Sequence, residues 1–152
     1  METPTNDFLD HLRITEKPAR PSWDEVWMET AVGISKRSLD PRHKVGAIIV
    51  TDDNTQVLAV GYNGDHRGGP NAVSSTEPGM SGFLHAEVNC LIKCDFNNPK
   101  RKRMYLTLSP CEMCAKAIIN GGITEVVYLN EYRDLSGINL LRKCGVVVRR
   151  HT

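Results

Sequence analysis

The chain has 152 residues, 19 basic against 18 acidic, with a formal net charge of +1, 40% hydrophobic and 24% charged side chains. That length fits one domain with a real core, and that composition excludes a wholly disordered chain. The charge balance excludes an overall pull toward nucleic acid or an anionic membrane, and apolar runs such as Val45 to Val50 are far too short to span one.

The segment METPTNDFLD carries acidic residues and no apolar stretch, so no secretory signal is expected there. Residues 1–21 are polar, include Pro4, Pro18 and Pro21, and read as a flexible arm before a domain over 22–152. Ser22 is placed to cap a helix, with Asp24 and Glu25 in its first turn. Trp23, Val26, Trp27, Thr30, Ala31 and Ile34 recur at helical spacing, predicting a helix to about Leu39, stopped by Asp40-Pro41. Val45–Thr51 and Gln56–Tyr62 read as a hairpin around Asp52-Asp53-Asn54-Thr55. Gly61–Gly82, rich in Gly, Pro, Ser and Asn, is a long loop of the kind that binds ligands or stays disordered.

The second half alternates. A helix is expected over His85–Cys94, a strand over Met104–Leu108, and a helix over Cys111–Asn120 stopped by Gly121-Gly122. A strand over Glu125–Leu129, a helix over Asp134–Lys143 and a strand over Gly145–Arg149 complete the order. Helical crossovers favour parallel pairing in this half, against an antiparallel hairpin in the first. The expected fold is α/β, an α-β-α sandwich whose mixed five-stranded sheet carries helices on both faces.

Five cysteines without an export signal point to reduced thiols or a metal site in a cytoplasmic protein, not to a disulfide framework. Two motifs carry the chemistry: His85-Ala86-Glu87 and Pro110-Cys111-Glu112-Met113-Cys114. Cysteines three apart at a helix start bring their sulfurs together, and a histidine opening another helix can supply a third ligand. Three protein ligands leave a tetrahedral Zn2+ one open position, the catalytic arrangement. Glu87 is placed to reach a water there without itself ligating, as a proton shuttle. A lone C-x-x-C can instead be a redox pair, and a lone histidine is usually packed or solvated. Cys90, Cys94 and Cys144 read as small apolar residues on helices.

H-x-E followed by P-C-x-x-C is the signature of zinc nucleobase deaminases. With SKRSLDPRHKVGAIIV, GYNG, HAEVN and TLSPCEMCAKAIINGGITEVVYL, the chain resembles the deoxycytidylate (dCMP) deaminase branch of the cytidine deaminase superfamily over about residues 22–149. The resemblance implies a cytidine deaminase-like fold, one catalytic zinc on His85, Cys111 and Cys114, Glu87 as the catalytic group, and a homo-oligomer. It implies conversion of dCMP to dUMP and ammonia; in the family the glycine-rich loop can also carry regulation by dCTP and dTTP, which is left open here because this loop has no additional Cys for a second zinc.

Substrate contacts are expected from Arg37, Ser38, Asn63, Ala86 and Tyr132. Arg37 offers a planar fork to phosphate and Ser38 a hydroxyl; the alternative is a solvated helix end. Leu39 stands where the family commonly carries lysine, which removes one candidate phosphate contact and leaves Lys44 or Arg42 as its replacement, a choice that nothing in the sequence decides. Asn63, between glycines, faces sugar or base, or makes a turn. Tyr132 covers the ring or packs on the surface. Ser109 stands where family members often carry a larger or acidic residue. The run Lys100-Arg101-Lys102-Arg103 reads as a solvated turn more readily than as a nucleic-acid patch, since it has no interleaved aromatics. The rival readings are a deaminase of a free base, a nucleoside or a nucleic-acid base, and a zinc-stabilised binding domain without turnover.

Overall fold

A computed structural model describes residues 19–152; the expected arm lies almost wholly outside the described residues. Helix α1 spans Trp23–Ser35, followed by strands β1 (Gly46–Thr51) and β2 (Val57–Tyr62). Helix α2 (Ala86–Ile92), β3 (Lys102–Leu108), α3 (Glu112–Asn120), β4 (Ile123–Asn130), α4 (Ser136–Lys143) and β5 (Val147–Arg150) follow. The strands form one sheet in the order β2-β1-β3-β4-β5. β1 is antiparallel to both β2 and β3, while β3, β4 and β5 run parallel. The expected mixed sheet, with an antiparallel hairpin and parallel second half, is therefore the observed one.

Alternation along the central strands divides the core. Ile48, Val50, Tyr105 and Val127 pack with Met28 and Ala31 beneath α1. Ala47, Ile49, Met104, Leu106 and Val126 face the other way, under α2, α3 and α4. All six residues of β1 are buried, as a strand covered on both faces requires.

Ser22 caps α1 with a full capping box: its Oγ accepts from the Glu25 N–H and its own N–H donates to the Glu25 carboxylate, both at 3.1 Å. Trp23 and Trp27 stack one turn apart with centroids at 5.2 Å, a pair worth about 0.5–1.5 kcal/mol beyond its burial. The helix ends at Ser35, a turn earlier than its periodicity predicts. Lys36, Arg37 and Ser38 make tightened bonds back to Gly33, Ile34 and Ser35. The buried Ser38 hydroxyl then donates to the Asn63 carbonyl at 2.8 Å, which draws the chain toward β2.

On the α1 face a charged network ties the helix to the sheet. Asp24 accepts hydrogen bonds from Tyr105 and from Arg149 on β5, and Glu125 accepts from Arg149 at 2.6 Å and Arg103 at 2.7 Å. The basic run that leads into β3 is half spent inside the fold and half exposed. Lys102 is buried and donates to the carbonyls of Asn98 and Lys100, Lys100 pairs with Asp53, and Arg103 with Glu125.

Hydrogen bonds from Arg149 and Tyr105 hold the Asp24 carboxyl down to about 2, from an ordinary 3.8, against the opposing effect of burial. A depressed carboxyl stabilises the fold above the unfolded value and loses that contribution as pH falls through the folded one. Thermal unfolding followed from pH 5 to pH 2 is expected to show the midpoint falling most steeply below about pH 4. Asp24→Asn is expected to lower the midpoint at neutral pH and flatten this acid limb.

Candidate metal centre and substrate cavity

Strands β2 and β3 point the same way with β1 between them. The helices that follow them, α2 and α3, therefore both begin at one edge of the sheet. Their N-cap residues are His85 and Cys111. Cys114 sits in the first turn of α3, and its N–H donates to the Cys111 sulfur at 3.5 Å. His85 Nδ1 lies 3.2 Å from the Cys114 sulfur and 3.6 Å from that of Cys111.

The ligand atoms of the three residues all lie within 4.8 Å of one another. A tetrahedral zinc with Zn–S of about 2.3 Å and Zn–N of about 2.0–2.1 Å sets its N and S ligands about 3.6 Å apart. The separations to His85 fit one such ion, and the donor set, two thiols and an imidazole, is the kind zinc takes. Cys111 is held down to about 4 by hydrogen bonds from Cys114 and His85, against burial. The helix N-terminus adds to this preference for thiolate.

Glu87, on the first turn of α2, is 4% exposed. Burial pushes its carboxyl up from the ordinary carboxylate range. It opens with Ala86, His85 and Cys111 onto a cavity of about 300 Å³, at the lower end of the roughly 300–1,000 Å³ usual for small-molecule sites. Asn63, Ser109 and Tyr132 also line this cavity, and residues from Val73 to Ser81 roof it.

The expected contacts divide. Ala86, Asn63 and Tyr132 reach the cavity; Arg37 is exposed and Ser38 is turned inward onto Asn63, and neither lines it. Asn63 lines it with an amide already committed: Oδ1 accepts from the Val45 N–H at 2.8 Å and Nδ2 donates to the His43 carbonyl at 2.7 Å. Ser109 holds the neighbouring wall, its Oγ accepting from the Tyr132 N–H at 2.7 Å.

Sequence reasoning missed Asp40 and His43 as cavity residues, whereas the Gly61–Gly82 loop, read as a binding or disordered segment, supplies Thr76 and its neighbours to the lining. The readable signal was Asp-Pro before a cationic stretch, since Asp commonly accepts from backbone two residues on. Asp40 Oδ1 does so, taking the N–H of Arg42 at 2.8 Å and of His43 at 3.2 Å.

A family model described as the cytidine and deoxycytidylate deaminase zinc-binding region matches residues 21–130. The chain belongs to this family. A probable deoxycytidylate deaminase of Drosophila melanogaster is 35% identical over 147 residues, 85% of this chain and 72% of that protein. The deoxycytidylate deaminase of Mycobacterium phage D29 is 35% identical over 128 residues, 74% of this chain and 98% of the phage protein. The dCMP deaminase of cyanophage S-TIM5, solved in complex with dCMP and dUMP, superposes with a TM-score of 0.75 at 36% identity, over 88% of this chain and 99% of that one. Zinc is thus the metal that the family and the His-Cys-Cys group agree on.

A glycine fixes the second ligand. A Cβ on Gly137 of α4 would lie 2.1 Å from the Pro110 carbonyl oxygen and 2.8 Å from the Cys111 carbonyl, so α4 packs directly on the backbone that presents Cys111. Gly137→Ala is expected to displace that backbone and weaken zinc binding about 10–100-fold, as losses around a metal's ligands typically do. Chelator competition, with zinc counted per chain, measures it.

Proposed function

We propose that this chain is a zinc-dependent hydrolase that converts dCMP and water to dUMP and ammonia. The observation that carries the reading is the buried carboxyl of Glu87, opening onto the same small cavity as His85 and Cys111. A purely structural zinc site has no use for a buried carboxyl at its open side. The named activity of the 35%-identical relatives, and the dCMP and dUMP in the cyanophage structure, support the substrate.

The reaction forms a C4–O bond and breaks the C4–N4 bond, with ammonia as leaving group. Zinc, when held by His85, Cys111 and Cys114, supplies the Lewis acidity that makes water nucleophilic near neutral pH. Glu87 takes the proton from the attacking water, gives it to N3, and carries a second proton to the departing amino group. Its raised pKa suits a group that must both accept and donate a proton. The backbone at Ala86, wholly buried beside it, forms the floor on which the ring rests. Tyr132 and Asn63 also line the cavity.

The deaminase domain is read as residues 22–152, acting as a homo-oligomer in the cytoplasm. No helix among the described residues is long and apolar enough to cross a membrane. Exposed apolar side chains such as Ile92 and Met113 support self-association. The roof of the cavity, from the Gly61–Gly82 loop, is where dCTP or dTTP would act as effectors.

Ammonia release from dCMP, deoxycytidine and cytosine tests the reading. Activity on dCMP with about one zinc per chain is expected; activity on cytosine alone, or zinc without turnover on any of the three, overturns it. Glu87→Gln is expected to keep its zinc and lose at least about 10²–10⁴ in kcat. Loss of the metal in that variant would remove Glu87 from the proton-carrying role.

A further inference from the structure

The cavity has an inner end at Glu87 and an outer end at Arg42, with Glu77 also on its lining. The inner end holds Glu87, and a phosphate dianion beside a buried carboxyl would meet both repulsion and desolvation. The outer end runs on into a second hollow of about 230 Å³ that shares Arg42, His43, Pro78 and Tyr132 with the first and is bounded by Arg133 and Glu131. Arg42 is the arginine common to both spaces.

Its position is built. The Arg42 N–H donates to Asp40 Oδ1 at 2.8 Å, and Asp40 is itself buried and bonded to the Asn63 amide. The guanidinium donates through Nη1 to the Thr76 carbonyl in the roof. A carbonyl holds the group without cancelling its charge, and among the described residues Arg42 makes no salt bridge. Most of its N–H donors stay available in the planar fork that matches phosphate oxygens. His43 stands beside it with its own N–H held on the same Asp40 oxygen. Lys36 and Arg37, at the exposed end of α1, line neither hollow.

We propose that Arg42, with the His43 ring beside it, receives the 5′-phosphate and makes the enzyme select the nucleotide over the nucleoside. This rests on the nucleotide reading of the same cavity and deepens it. A nucleotide whose base lies at Glu87 extends its anionic end toward the outer hollow, where Arg42 keeps an unpaired charge. The cation that reads phosphate is then on the wall before β1, not on the end of α1 where the family likeness places it.

The test is steady-state deamination of dCMP and of deoxycytidine by the zinc-loaded wild type, Arg42→Ala and Arg42→Lys, with melting temperature and zinc content measured for each. Arg42→Ala is expected to raise KM for dCMP about 10- to 100-fold, the worth of a charge-assisted hydrogen-bond pair, while kcat changes only a few-fold. Deoxycytidine kcat/KM is expected to fall far less than that of dCMP, its small loss reflecting the freed Thr76 roof, Arg42→Lys to recover part of the dCMP loss, and inorganic phosphate to compete with dCMP in wild type more strongly than in Arg42→Ala. An unchanged KM for dCMP in folded, zinc-loaded Arg42→Ala overturns the assignment. So does an equal loss on both substrates, or a loss on Arg37→Ala that Arg42→Ala does not show. A wild type that does not prefer dCMP to deoxycytidine defeats the nucleotide reading itself, and that result is visible before any variant is made.

Discussion

The site exists because the two strands that flank β1 in the sheet, β2 and β3, share a direction. Each is followed by a helix, so two helix N-termini arrive at one edge carrying His85 and Cys111 as their cap residues. With β2 reversed, the start of the following helix would move to the far edge, about 20 Å away for a six-residue strand. The antiparallel β1 between them makes the arrangement work, since its start brings Val45 and the wall before it to that same edge. Ligands in open α/β sheets commonly bind beyond the carboxyl ends of parallel strands, and this chain follows that rule with an antiparallel strand inserted.

Cap positions are apt for these ligands on electrostatic grounds. Two thiolates and a neutral imidazole balance the charge of a zinc dication, so the ion in such a set acidifies water less than it does among three histidines. The site offsets this in two ways. Helix N-termini favour the thiolates, each behaving as roughly half a positive charge. Burial raises the Glu87 carboxyl, which makes it a stronger base than an exposed glutamate. Desolvating that carboxyl is costly, and the backbone hydrogen bond at the helix start reduces the cost. The carboxyl is kept by its place on the α2 backbone, not by local stability.

The elements and the metal group were legible because their signals are local. Ser22 and Glu25 are three apart, as a capping box requires, and Cys111 and Cys114 have the spacing of one helical turn. What escaped was set by contacts distant in sequence. The end of α1 depends on Ser38 meeting the Asn63 carbonyl, 25 residues away. Without that bond the periodic pattern through Leu39 would favour one more turn, and Arg37 would point elsewhere. Lys102 belongs to β3 although its charge argued for a turn, because its backbone pairs with Thr51 of β1 and Ile123 of β4 while nearby carbonyls satisfy its ammonium. The roof near Thr76 has no periodicity to read, and Arg42 ties it to the rest.

Asn63 shows how frame and contact can occupy one side chain. Its amide nitrogen serves the His43 carbonyl closely and the Asp40 carboxylate at a longer 3.4 Å, while its oxygen serves the Val45 N–H. Both of its N–H donors are engaged, the one on Asp40 more weakly, so a ligand acceptor would have to displace one of them. The oxygen carries a second lone pair, so a hydroxyl can donate to it with no bond lost. Asn63 therefore has one lone pair of Oδ1 and one weakly held N–H left over from its part in the frame. The same bonds fix the wall on which Asp40, Arg42 and His43 stand, so changing Asn63 would move the outer end of the cavity along with any contact of its own.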